Sequence, residues 1–187
     1  SFDDDRGARP TAAEIAAQFD AVVLSSTILS ANVAGDFRDQ EIPVVFWENA
    51  LLQTDREPLA ADHGVEGGTV SVDIVDNTHP ITEGLSPGGL AVFSSPSSLS
   101  LGRGAIAPGV DVLATRSGAP GDAAILAAEA GAVLLGGHVA PARRVFLFLE
   151  DANWQTTTDA GKTIVERAVS WATGLAQTCP GDFNGDG

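Results

Sequence analysis

Methionine is missing from the 187 residues, cysteine occurs once, at Cys179, and lysine once, at Lys162. A single cysteine excludes an internal disulfide and any cysteine-rich metal site. The scarcity of lysine leaves 10 basic residues against 25 acidic ones, a net charge of −15. Such a surface repels phosphate backbones and anionic lipid, so neither nucleic acid nor a membrane is an expected partner. No uncharged apolar run is long enough to cross a bilayer. The nearest, "AAILAAEAGAVLLGGHVA", carries Glu129 and His138 and is interrupted by glycine. No secretory leader is recognisable, and without methionine the chain reads as a piece of a longer protein.

What is present is globular: 44% hydrophobic and only 19% charged, with a length that suits one full core. Thr11 and Glu14 form a capping box opening the helix "AAEIAAQF". "AVVLSSTIL" (21–29) then reads as a strand buried on both faces, "SANVAGDFRDQ" as a modest helix, and "PVVFWE" (43–48) as a second buried strand. "NALLQ" reads as the start of the next helix. This alternation predicts a parallel sheet covered on both sides. The second half differs. "GTVSVDIVD" (68–76) alternates as a half-exposed strand, and "GLAVFSS", "DVLATRS", "AAILAAEA", "AVLLGGHV" and "RRVFLFLE" read as short strands between Gly or Pro turns. Thr158 leads into a closing helix with Ile164, Val165, Ala168, Val169 and Trp171 at helical spacing, stopped by Gly174. The opening "SFDDDRGARP" suggests that a first strand–helix unit lies upstream.

The order "FDAVVLSSTI…PVVFWENALL…VDNTHPITEGL…ARRVFLFL…TIVERAVSWATG" resembles the class I glutamine amidotransferase-like fold. It is most similar to the branch holding ThuA-like proteins and the trimerisation domains of some β-galactosidases. "HPITEGL" (79–85) and the closing "SWATG" carry most of the likeness, which spans roughly residues 15–174. The resemblance implies a flavodoxin-like three-layer α/β sandwich with a mainly parallel central sheet and extra short strands in the second half. Catalytic members place a cysteine nucleophile at a tight turn after a central strand. The corresponding turn here is "FWENA" (46–50), which offers Glu48 and Asn49 instead. Without a thiolate and its base, glutaminase chemistry is not expected.

Glu48 beside Trp47 is the leading candidate for chemistry, because the carboxyl ends of parallel strands bind ligands and a carboxylate beside an indole can have a raised pKa. Its plain alternative is a helix cap. His79, held before Pro80, and His138, after "LLGG", titrate near neutrality and are candidate bases, or else structural residues. Ser25 and Ser26 lack the glycines of a nucleophile elbow and suit backbone hydrogen bonding. "RSGAPGD" (116–122) suits a hairpin rather than a phosphate cradle. Glu150, Asp151, Asn153 and Trp154 form a polar cluster after "RRVFLFL", bordering the active edge that the resemblance implies; Ser25, Ser26, Trp47, Asp151 and Trp154 are the candidate ligand-binding residues.

The final "CPGDFNGDG" resembles the opening of a dockerin-like calcium repeat after a linker at 175–180. Asp182, Asn184 and Asp186 supply alternate hard oxygens, and Gly187 the sharp turn. The later ligands are absent, so no cofactor is expected in this fragment, and calcium only if the repeat is completed. The expected organisation is an α/β domain over 1–174, the linker, and a truncated calcium loop over 181–187. The resemblances together imply a non-catalytic accessory module of a secreted or cell-surface multidomain bacterial protein. Its partners would be neighbouring domains, a carbohydrate, or further copies in an oligomer. The alternative is a ThuA-like enzyme acting on a sugar derivative through Glu48 with His79 or His138.

Overall fold

The computed structural model describes residues 5, 7 and 9–175. Helix α1 (Ala12–Ala16) starts at Thr11, whose side chain and that of Glu14 satisfy each other's main-chain N–H groups as the capping box requires. Strand β1 (Val22–Leu24) follows, then the single turn of α2 (Ser30–Val33), β2 (Val44–Phe46) and a 3-10 turn at Asn49–Leu52. The central region is all strand: β3 (Ala60–Thr69), β4 (Ser71–Ile74), β5 (Gly88–Ala91), β6 (Ser97–Ile106), β7 (Asp111–Arg116) and β8 (Ala119–Ala128). Strand β9 (Arg144–Phe146), a 3-10 turn at Asp151–Thr156 and helix α3 (Asp159–Thr173) complete the fold. Thr158 caps α3 by accepting from the Gly161 N–H, and Gly174 ends it at φ 70°, the left-handed stop that glycine permits.

The strands form one mixed sheet in the order β1-β2-β9-β8-β7-β4-β5, with β6 joining β8 and β3 pairing on β6. Apolar side chains pack on both faces. Val45, Val145 and Leu147 meet Ile164, Ala168 and Trp171 of α3 on one side, while Val44, Phe46 and Phe146 meet Ile15, Val33 and Leu51 on the other. This is an α/β sandwich, but not a mainly parallel one. Among the described residues only β1, β2 and β9 run parallel; every other strand pairing there is antiparallel. Tight turns such as Ser117–Gly118, with Gly118 at φ 76°, join neighbours directly and so dictate antiparallel pairing.

Other expectations change for identifiable reasons. Strand β1 is an edge strand, so Val23 is 47% exposed and only one face is buried. The helix expected over 30–40 shrinks to one turn, since Gly35 and Asp36 offer little helical support. "AVLLGGHV" forms a 3-10 turn at Leu135–Gly137, because Gly136 and Gly137 both take positive φ there. Strands β3 and β6, which the reading of the sequence lacked, are long and partly solvent-facing. A side chain at Gly64 of β3 would collide with the Arg103 guanidinium, which lies across it to reach Glu66 and Asp122.

One charged residue anchors the amino end of the parallel strands. Arg144, fully buried, donates from Nε to Glu57 at 3.0 Å and to six main-chain carbonyls: Ile42, Ala142, Arg143, Phe37, Arg38 and Gln40. Burial pushes the Glu57 carboxyl up to about 7, against the downward pull of Arg144. The folded state therefore retains a proton that the unfolded chain releases near the ordinary carboxyl value. Stability associated with Glu57 is full below that ordinary value and is lost as pH rises to about 7. Urea unfolding at pH 4.5 and 7.5 is expected to show a decline of up to about 3 kcal/mol that Glu57→Gln abolishes. Equal pH dependence in the two proteins contradicts it.

Candidate functional site

The three parallel strands aim their carboxyl ends at one place. Main-chain bonds continue the ladder past them, from Trp47 N to Leu24 O at 3.1 Å and from Leu147 N to Phe46 O at 2.9 Å. Ser25 and Ser26 follow β1, Trp47 and Glu48 follow β2, and the chain after β9 delivers Leu149, Glu150 and Asp151. Candidates from well-separated stretches of sequence thus converge on the edge where parallel strands bind ligands.

Their polar groups are interlocked. The Trp47 indole N–H donates to Asp151 Oδ1 at 2.8 Å, and the Asp151 main-chain N–H donates to Ser26 Oγ at 2.9 Å. Ser100, buried on β6, sets its hydroxyl against the Trp47 carbonyl at 3.0 Å and against the Glu150 carboxylate. Asp151 Oδ2 is buried with no hydrogen-bond partner. Between these groups lies a pocket of ≈ 260 Å³ lined by Trp47, Leu149, Glu150, Asp151, Trp154 and Val165. The 3-10 turn at Asp151–Thr156 carries Trp154 to the rim, where it is 44% exposed.

Glu48 follows Trp47 of this pocket and caps the turn after β2. Its Oε1 accepts from the Ala50 N–H at 3.1 Å, capping the 3-10 turn. Burial also raises its pKa; the bond to Ala50 opposes this, and the charges of Glu150 and Asp151 add to it. Ser25 is not tied into the pocket. Its hydroxyl bonds Thr27 Oγ1 at 2.6 Å in a local turn.

The histidines expected to assist Glu48 lie elsewhere. His79 packs edge-on against Trp171 at 4.7 Å between ring centroids, its Nδ1 accepting from the Ile81 N–H, and burial lowers its pKa. Arg143 covers that tryptophan at 4.6 Å from the ring centroid and immediately precedes β9, so this stack is at the amino end of the parallel strands. His138 closes the turn at Leu135–Gly137 and is felt by Asp39, which also senses Arg144 at that amino end. Neither is placed to work with Glu48, whose position is at the carboxyl end. Sequence reasoning passed over His63, which bonds Asn49, the residue after Glu48: Nδ1 lies 2.7 Å from Asn49 Oδ1 and Nε2 3.3 Å from Gln53 Nε2. Ser100 was missed with the strand that bears it. The alternation in "SSLSL" was the available signal for that strand, whereas nothing local marks His63.

A larger, more open cleft of ≈ 400 Å³ near α1 is walled by the ion pair of Arg9 with Asp36 and contains none of these candidates. Among the described residues no group of three or more His, Cys, Asp or Glu could hold a metal ion. No helix there is long and apolar enough to cross a membrane. Asp182, Asn184 and Asp186 lie outside the described residues.

No protein-family model matches the chain, and no curated protein matches it. Among solved structures, the cytoplasmic protein STM3548 from Salmonella typhimurium is similar with a TM-score of 0.56 and 12% identity, over 88% of this chain and 76% of that one. At that identity the likeness concerns the fold. That protein's description as cytoplasmic points away from the secreted or cell-surface placement expected from the tail, and that expectation is withdrawn. The chain shares a known α/β fold, with its candidate residues gathered at the carboxyl ends of three parallel strands.

Proposed function

We propose that this chain is a non-catalytic accessory module of the amidotransferase-like type that binds a small carbohydrate at the carboxyl end of β1, β2 and β9. One observation carries the reading: a pocket flanked by the indoles of Trp47 and Trp154 and by the carboxylates of Glu150 and Asp151. Indole faces suit the C–H faces of sugar rings, while carboxylates accept from hydroxyls. The catalytic cysteine of amidotransferases is replaced by Glu48, whose carboxylate is engaged as a cap. Calcium stays a proposal for the tail alone, through Asp182, Asn184 and Asp186 once a full loop is present.

Isothermal titration with a panel of monosaccharides is expected to give saturable binding that Trp154→Ala weakens about 10-fold, the loss of one stacking face. Binding indifferent to that substitution contradicts the site. A second reading, a ThuA-like enzyme acting on a sugar derivative, draws on the raised pKa of Glu48. Hydrolysis of glycosides or amides that Glu48→Gln abolishes would establish it and displace the first.

A further inference from the structure

We infer that the pocket receives a ligand through a charged ammonium group, so that its carbohydrate is an amino sugar with a free amine. This rests on the reading of the pocket as a carbohydrate site and narrows it. The chemistry of the lining sets the choice. Two indoles, two carboxylates and two aliphatic side chains surround the space, with no lysine, arginine or histidine among them. Aromatic faces attract cations through their quadrupole, and opposing carboxylates reinforce that attraction.

The hydrogen-bond inventory points the same way. Trp47 spends its indole N–H on Asp151 Oδ1, so it contributes no free donor to the lining. Ser100 is occupied with Glu150 and the Trp47 carbonyl, and Asn153 donates to the Ser98 carbonyl at 2.6 Å. Asp151 Oδ2 is left as a buried acceptor without a donor. The lining thus combines aromatic faces with the negative charge of two carboxylates, while its remaining side-chain donor is the indole of Trp154 at the exposed rim. A neutral hydroxyl gains little from that negative charge, and its lone pairs need side-chain donors that the lining lacks. An ammonium donates three times and accepts nothing.

Two further observations limit the ligand. At ≈ 260 Å³ the space falls just below the range of about 300–1,000 Å³ common for small-molecule pockets, which suits a single ring and not a glycan chain. The described residues contain no cluster of three metal-ligating side chains, so an organic cation fits better than a metal ion. The overall charge of −15 raises the local concentration of cations around the mouth.

The test is calorimetric titration of the full chain with glucosamine, glucose, N-acetylglucosamine and tetramethylammonium. Acetylation keeps the ring and removes the charge, while tetramethylammonium keeps the charge and removes the ring. Glucosamine is expected to bind at least 10-fold more tightly than glucose or N-acetylglucosamine. Asp151→Asn, which can still accept from Trp47, is expected to remove that preference, and Glu150→Gln to reduce it. If glucose or N-acetylglucosamine binds as well as glucosamine, the ammonium inference is overturned and the carbohydrate reading stands. If tetramethylammonium binds and no sugar does, the cation site holds and the carbohydrate reading falls. Binding of none of the four overturns both.

Discussion

Arg144→Ala is expected to remove about 3–5 kcal/mol of folding stability, the range measured when one partner of a buried ion pair is deleted. That is a large share of the 5–15 kcal/mol typical of a domain. The guanidinium gathers the carbonyls of Phe37, Arg38, Gln40 and Ile42 onto the start of β9, so it closes the loop between α2 and β2 as well as pairing with Glu57. After its removal Glu57 can take up a proton, but the carbonyls lose their donor and a cavity is left. Arg144→Lys should recover little, because one ammonium cannot reach both branches of this set. Urea denaturation with far-UV dichroism measures the effect, and a loss below about 1 kcal/mol would show that the network is not structural.

Phe148→Ala should cost a similar amount, about 3–5 kcal/mol, through the cavity left by a large core ring. Phe148 is fully buried and meets Phe93 edge-on at 5.7 Å between ring centroids. Its carbonyl accepts from the Ser100 N–H at 2.9 Å, and it lies two residues before Glu150. Relaxation around that cavity therefore moves the support of the pocket. The variant should bind ligand more weakly even at temperatures where it remains folded, whereas Arg144→Ala, acting at the opposite end of β9, should leave the affinity of the folded fraction intact. Calorimetry below each melting transition separates the two. Equal affinities in the Phe148 variant and the parent would mean that the pocket is held independently of the core beneath it.

Parts of this architecture were legible because their causes are local. The capping box at Thr11 and Glu14, the run through Val44–Phe46, the hairpin at Gly118 and the apolar stripe of α3 each state their conformation within a few residues. Strand β3 was not legible in this way, and β6 only through the short alternation "SSLSL". Their glycines and charges have weak strand propensity, and the backbone bonds of each to the other supply the order. Sheet direction escaped for a related reason, since an apolar run specifies burial and not the orientation of its neighbour. "RRVFLFLE" also gives no sign that Arg144 is interior while Arg143 reaches Glu129 at the surface.

The site divides along the same line. By itself, the sequence determined that Ser25 and Ser26 interrupt one apolar run, that Trp47 with Glu48 closes a second, that Asp151 follows a third, and that a thiol nucleophile is absent from "FWENA". Only the tertiary structure decided which of these ends meet. Parallel pairing of β1, β2 and β9 brings them to one edge, although Ser26 and Asp151 stand 125 residues apart. The same pairing sends His79 and His138 to the other end and leaves the pocket acidic and aromatic. A side chain's chemistry belongs to its residue, but its partners and their charges follow from contacts between distant segments, which no local pattern encodes.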